Sequence, residues 1–353
     1  VLALLCGSST LHAQDFKLTS SGYFKNQGVD VMAFDDIYPE GHQGGVCIIM
    51  NGHRVATNGD IRLEATPGQW QPVPKQLDRK LGDNSITATL CYPDSSRHLT
   101  GFNPMIYPDL HLIYTVNVES KGKNIEVTVD LDRPIPQEFI GKVGFNLEFF
   151  PGSLFGKPWI MDGQSGIFPQ QPNSPLMTTQ PNYLHTGNYH DGKKSLADMN
   201  KLIGKGYSPI VADDIISEPY AKGTKFTSRP DDPYNKVTIE SLSGDLQLFD
   251  GRMNHNNGWF VLRSNIKPGV TKGAVKWIIT PNVVADWMYQ PVIQTSQIGY
   301  HPTQDKEAVI EMDIRDNRKE TAQIIRIDAD GEKVVKNVTP ANWGKFLRYN
   351  YLK

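Results

Sequence analysis

The 353-residue sequence is short of most features that would name a function outright. It has only three cysteines, and no Cys-x-x-Cys pair or Cys/His cluster, so no zinc site is implied. Its 36 basic residues do not exceed its 38 acidic ones, and the formal net charge of −2 leaves no electrostatic footprint for nucleic acid or anionic lipid. No apolar run is long enough to span a bilayer. There is no Gly-x-Ser-x-Gly elbow, no phosphate loop, and no Gly-x-Gly-x-x-Gly after a strand. Fixed-period repeats are absent. No cofactor or metal is therefore expected. Adjacent acidic pairs (Asp35-Asp36, Asp213-Asp214) suit solvated loops, or at most calcium, since neighbours in an extended strand point to opposite faces.

What is abundant is turn and strand material. The chain carries 31 glycines, 24 prolines, 14 tyrosines and 14 phenylalanines. Alternating segments recur at 29–36, 46–52, 84–92, 110–120, 124–132, 142–151, 236–251, 258–266 and 274–282. Lys121-Gly122-Lys123 predicts a tight connection between two of these, hence an antiparallel pair. Asn58-Gly59 inside 53–65 predicts a two-residue hairpin turn. One weak helical pattern falls at 193–206, within an irregular Pro-, Gly- and Asn-rich stretch from Gly152 to Arg229. So many strands exceed one immunoglobulin-size sandwich. The expectation is an all-β chain: a large two-sheet β-sandwich, of the size seen in galactose-mutarotase-like domains, followed by a smaller β-unit.

The opening run VLALLCGSSTLHAQ, apolar and then small and polar, reads as the remnant of a secretory signal. Export to the periplasm or cell surface of a Gram-negative bacterium is the expectation. Cys6 invites a lipid anchor, but Leu5 stands where a small residue should precede it. An exported chain permits a disulfide between Cys47 and Cys91; two separate buried thiols are the alternative. The domains expected are 1–14 (signal remnant), 15–285 (large sandwich), 286–294 (linker) and 295–353 (second β-unit).

That last unit carries the one family signature. Gln297-Ile298-Gly299-Tyr300-His301-Pro302, followed by Lys306-Glu307-Ala308-Val309-Ile310, resembles the start of the immunoglobulin-like module that precedes the catalytic barrel in glycoside hydrolase family 9 cellulases. A hairpin expected at 322–338, turning at Asp330-Gly331, falls where the module's next strands would be. The stretches at 38–75 and 95–112 are similar, more loosely, to the N-terminal extensions of such enzymes in gut bacteria. The resemblance implies an incomplete immunoglobulin-like sandwich, with the catalytic domain downstream. It implies plant β-glucan as the partner of the full-length enzyme.

No catalytic residue transfers from the resemblance. Inverting glycosidases need a carboxylate base and a carboxylic acid across the scissile bond. Asp328-Ala329-Asp330-Gly331 looks superficially like the family's base motif but sits in a hairpin context. His185 and His190 share a loop without an evident Glu partner, so a sugar-isomerising site on the first domain is a weaker alternative. For sugar binding the candidates are aromatic: Trp70, Trp159, Tyr183 and Tyr189, all among turn residues, where a ring is free to stack on a sugar. The competing role for each is packing over a sandwich end. Two functions remain open: a non-catalytic scaffold within a glucanase, or a stand-alone glycan-binding protein.

Overall fold

The computed structural model describes residues 15–35, 44–64, 67, 74–92, 110–171, 176–178, 215–253 and 258–353. Trp70, Tyr183, Tyr189, His185, His190, the signal-like opening and the helical pattern at 193–206 lie outside the described residues. The chain divides between Ala285 and Asp286 into two compact units.

The larger unit opens with β1 (Lys17–Leu18), β2 (Phe24–Asn26), β3 (Val29–Ala33), β4 (Val46–Met50) and β5 (His53–Leu63). Next come β6 (Lys75–Leu81), β7 (Ser85–Cys91), β8 (Ile113–Lys121), β9 (Asn124–Leu131) and β10 (Val143–Phe149). Short strands follow: β11 (Pro158–Met161), β12 (Gln164–Ile167), β13 (Leu176–Thr178), β14 (Ile215–Ser217), β15 (Ala221–Gly223) and β16 (Lys225–Ser228). The series ends with β17 (Val237–Ser241), β18 (Leu246–Asp250), β19 (Phe260–Asn265) and β20 (Val275–Pro281).

Eighteen of these strands form two nine-stranded sheets among the described residues, and β13 pairs with β14 in a separate ribbon. The first runs β1-β2-β3-β4-β5-β10-β19-β18-β15, the second β12-β11-β16-β17-β20-β9-β8-β7-β6. Alternation drives the packing: Ile86, Ala88 and Leu90 of β7, and Tyr114, Val116 and Val118 of β8, are buried while their neighbours are half-exposed. Rings interlock between the sheets. Phe145 of β10 meets Trp277 of β20 edge-on at 4.9 Å, and Phe149 of β10 meets Phe226 of β16 at 5.8 Å. The fold is therefore a large all-β sandwich. Among the described residues no helix is long and apolar enough to cross a membrane.

Two expectations need correcting, and one open choice is decided. Asn58-Gly59 makes a bulge inside the continuous strand β5, not a hairpin turn. Asn58 takes the positive φ (55°) that suits either role, but pairing with β4 and β10 continues on both sides of it. Across from β10, three steps along β5 (Thr57 to Asp60) match two (Glu148 to Asn146). Next, Cys47 and Cys91 are thiols and do not pair. Cys47 alternates with the core residues Val46 and Ile48 on the first sheet, Cys91 with Leu90 on the second. Each side chain thus points away from the space between the sheets, and the sandwich separates them. Finally, the described parts of 152–229 hold regular strands, β11 to β16, where an irregular excursion was expected. These strands are only three or four residues long, too short to show a period.

The second unit contains β21 (Val292–Gln294), β22 (Val309–Asp313), β23 (Ala322–Asp328), β24 (Gly331–Val338), β25 (Asn342–Phe346) and β26 (Tyr349–Leu352). A four-stranded sheet runs β21-β22-β26-β25, and β23-β24 is a separate hairpin turning before Gly331. Residues 286–294 are part of this unit and not a linker. β21 pairs with β22, and the Tyr289 amide donates to the Asp313 carboxylate at 3.1 Å. Arg315 also bonds Asp313 through its amide and guanidinium; despite some burial, these bonds hold the Asp313 carboxyl at about 2. Buried apolar side chains are few here, Met312 and Leu352 among them, and hairpin residues such as Ile327 and Val335 are exposed.

Candidate functional site

The central strands of the first sheet, β5, β10 and β19, turn one face to the core. That face carries Ile61 and Leu63, then Phe145, Leu147 and Phe149, then Phe260 and Leu262. Strand alternation sends the intervening residues to the opposite face, and there they are almost all polar. The pairing register lays them out in rows. Arg62, Gly144 and Asn265 form one row; Asp60, Asn146 and Arg263 the next; Thr57, Glu148 and Val261 the third. Beyond them Phe150 and Trp259 meet edge-on, ring centres 4.5 Å apart at 88°.

The polar side chains on this face are buried. Arg263 and Glu64 are each 1% exposed, Asn146 0%, Glu148 3% and Arg62 9%. Buried charges demand partners, and much of the group is satisfied internally. Glu64 Oε1 accepts from Asn146 Nδ2 at 2.6 Å and from Arg263 Nη1 at 3.2 Å. Arg263 also donates to Asn146 Oδ1, the Glu64 carbonyl and Asn265 Oδ1. Gly144 makes room for this guanidinium: a Cβ there would lie 2.8 Å from Arg263 Nε. Asn58, placed by the bulge, donates to Glu148 Oε2 at 2.6 Å. Asp60 turns toward the core, accepting from the Tyr114 hydroxyl at 2.9 Å and the Ile61 amide at 2.7 Å.

Three atoms of this face have no hydrogen-bond partner: Arg62 Nε, Glu64 Oε2 and Thr57 Oγ1. Leaving such an atom dry costs about 1–3 kcal/mol. They are one donor, one acceptor and one hydroxyl, Thr57 and Arg62 from β5 and Glu64 from the residue that follows it.

Burial also sets the protonation of the face. It pushes the Glu64 carboxyl up to about 7, with Arg263 and Arg62 holding it back in part. It pushes Asp60 up to about 6, with Arg62 opposing. Burial works against the Arg62 charge too, but Glu148, Asp60, Tyr92 and Glu64 together outweigh it and raise Arg62 above its ordinary value. Two guanidiniums thus lie beside Glu64 and Glu148 on this face, with Asp60 turned toward the core behind them, and Glu64 and Asp60 hold their protons unusually tightly. Such a face can bind neutral polar ligands or exchange a proton near neutrality.

The sequence candidates fare differently. Trp159 lies in β11, is 7% exposed, and packs so close to Gly166 that a Cβ there would touch its ring at 2.5 Å. It is a core residue with no face left for a sugar. Asp232 organises a turn, accepting from the Tyr234 amide and Asn235 Nδ2 and pairing with Arg229. Among the described residues no group of His, Cys, Asp and Glu is arranged to hold a metal ion. Arg62, Glu64, Asn146 and Arg263 were not singled out by sequence. Their signal was the alternation Asp60-Ile61-Arg62-Leu63-Glu64, which looks the same as a solvent-facing strand.

No family model matches the chain, and no curated protein matches it. Solved structures similar in strand arrangement include a galactose mutarotase-like protein from Lactobacillus casei ATCC 334. It has 10% identity and a TM-score of 0.35, and the match covers 73% of this chain and 97% of that one. Another is the Slr1438 protein of Synechocystis sp. PCC 6803, at 10% identity and a TM-score of 0.32, covering 76% and 96%. Likeness at this level assigns neither activity nor ligand.

Proposed function

We propose that this chain is a glycan-binding, non-hydrolytic region of an exported glycoside hydrolase of the family 9 cellulase type, and that the polar face of β5, β10 and β19 holds the sugar. The observation that carries this reading is that Arg62 Nε and Glu64 Oε2, near neighbours along the chain, and Thr57 Oγ1, two rows further along, are buried with no hydrogen-bond partner. A sugar's adjacent hydroxyls supply what they lack: an oxygen that accepts from Arg62 and an O–H that donates to Glu64. The charges favour a neutral ligand. Arg263 is spent on Glu64, Asn146 and Asn265, and the field at Arg62 is already that of three carboxylates. The Phe150–Trp259 pair adds apolar surface beside the polar rows.

The family 9 context rests on the Gln297–Pro302 and Lys306–Ile310 resemblance; on this reading the catalytic barrel, plant β-glucan hydrolysis and the bracing of that barrel belong to the full-length enzyme. Glu64 Oε1 and Asp60 Oδ1 are both taken by protein donors, which supports binding rather than hydrolysis on this face.

The test is titration calorimetry with neutral gluco-oligosaccharides on the wild-type chain, Thr57→Val and Arg62→Met. Thr57→Val keeps shape and removes a hydroxyl that bonds nothing in the protein, so the fold should hold while binding weakens. Arg62→Met should weaken binding by about tenfold or more, the scale of one hydrogen bond to a charged group. A wild-type chain that binds no neutral glycan sinks the reading, as do variants that bind like wild type. Release of reducing sugar by the wild-type chain would overturn the non-hydrolytic part.

A further inference from the structure

The four-stranded sheet of the second unit has an outward face with an unusual make-up. Ile310, Met312 and Leu352 line one side of β22 and β26, beside an open groove of about 310 Å³. Glu311, Asp313, Tyr349 and Tyr351 alternate onto the other side. The outer face of an antiparallel sheet is ordinarily polar and solvated. Here five rings follow one another in contact: Trp287 to Tyr289 at 6.4 Å, Tyr289 to Tyr349 at 5.2 Å, Tyr349 to Tyr351 at 6.0 Å, and Tyr351 to Trp343 at 6.2 Å. Trp343 is 61% exposed and Phe346, across from Tyr349, 66%.

Two details give the series a chemistry. Glu311 accepts one phenol proton on each oxygen, from Tyr289 at 3.0 Å and Tyr351 at 3.1 Å. Burial and this bond push the Tyr289 phenol up to about 12, so it stays a donor to Glu311 and its own oxygen stays an acceptor. Opposite Tyr351 on β25 stands Gly344, at φ +136°, and the space where its side chain would be is empty.

The charges around the series are already matched. Asp313 is held by Arg315, while Lys353 pairs with Glu307 and lies 5.8 Å over the Trp343 ring. A cationic partner meets Lys353 in the place it would take, and an anionic one meets Glu311. The exposed Trp343 ring and the phenol oxygens of Tyr289 and Tyr351 complement the C–H faces and O–H donors of a neutral sugar chain. We propose that this face is a second glycan-binding surface, independent of the sandwich face, on which an extended neutral polysaccharide stacks on the Trp343 ring with its hydroxyls on the Tyr289 and Tyr351 oxygens and Glu311.

Affinity electrophoresis of the full chain through gels containing hydroxyethyl cellulose tests this. The variants are Trp343→Ala, Tyr351→Phe and Thr57→Val, with an oligolysine peptide as the competing probe. Trp343 is exposed enough for its truncation to leave the melting temperature in place. Trp343→Ala should weaken retardation about tenfold, the scale of one lost ring contact, and should do so equally in the Thr57→Val background. Tyr351→Phe should weaken it less. Trp343→Ala retarded like wild type, an effect present only when Thr57 is intact, or tighter capture of oligolysine than of the glucan would each overturn the proposal.

Discussion

Glutamate 64 should make the sandwich more stable in mild acid than in mild base. Its carboxyl titrates near 7 in the fold against an ordinary 4.5. The folded chain therefore holds this proton more tightly than the unfolded chain does. The resulting stability is fully present below pH 4.5 and is lost as pH rises through 7. Between pH 5 and 8 the loss amounts to about 2 to 3 kcal/mol. Asp60 acts in the same direction over a lower window, from 3.8 to about 6. Glu64→Gln removes the titration but keeps an acceptor for Asn146 and Arg263. Urea unfolding at pH 5, 6, 7 and 8, wild type against Glu64→Gln, isolates the residue. Wild type should lose about 2 to 3 kcal/mol more than the variant across that range. Equal slopes would refute the assignment of the burial effect to Glu64. A wild-type chain that gained stability relative to the variant toward pH 8 would mean the Arg263 ion pair outweighs burial.

Gly59→Ala should cost about 2 kcal/mol of stability, because the added Cβ would stand 2.6 Å from Val46 Cβ within a paired strand; thermal melting checks it, and an unchanged melt would contradict the close approach of β4 and β5. A thiol reagent should label Cys91 before Cys47 in the native chain, since Cys91 is partly exposed and Cys47 is buried. That labelling should be slow, as burial raises the Cys91 thiol. Reductant should leave the melting temperature where it is; a drop would reveal a Cys47–Cys91 bridge.

Much of the fold was legible because period-two alternation sustained over seven or more residues is the mark of a half-buried strand. β7, β8, β9 and β20 fall where alternation put them and are half-buried, β10 falls where expected but is buried on both faces, and the turns at Gly122 and before Gly331 close the hairpins expected of them. Local signals failed where one conformation serves two purposes. Asn58's positive φ fits a bulge as well as a turn, and only the partners β4 and β10 decide between them. Trp159 reads as a loop residue from Gly156, Pro158 and Gly163 around it, but Ser228 and Gly166 pair with it in a sheet. The polar face was illegible for a different reason. Charged residues alternating with Ile and Leu predict water on one side, and burial of that side is a tertiary fact.

The bulge at Asn58 has an evolutionary consequence. Ahead of it Ala56 faces the core; past it Ile61 and Leu63 do, so the extra residue exchanges the parity of the strand. Between Thr57 and Asp60 stand two residues, Asn58 and Gly59, against one, Leu147, on β10, so deleting either would leave a regular strand with Ile61 and Leu63 still on the core and Arg62 still on the opposite face. What such a deletion would remove is the local kink and, with Asn58, the bond to Glu148. Sequences descending from this one can therefore lose one residue at that point and keep both faces, whereas a deletion that the bulge did not absorb would exchange them.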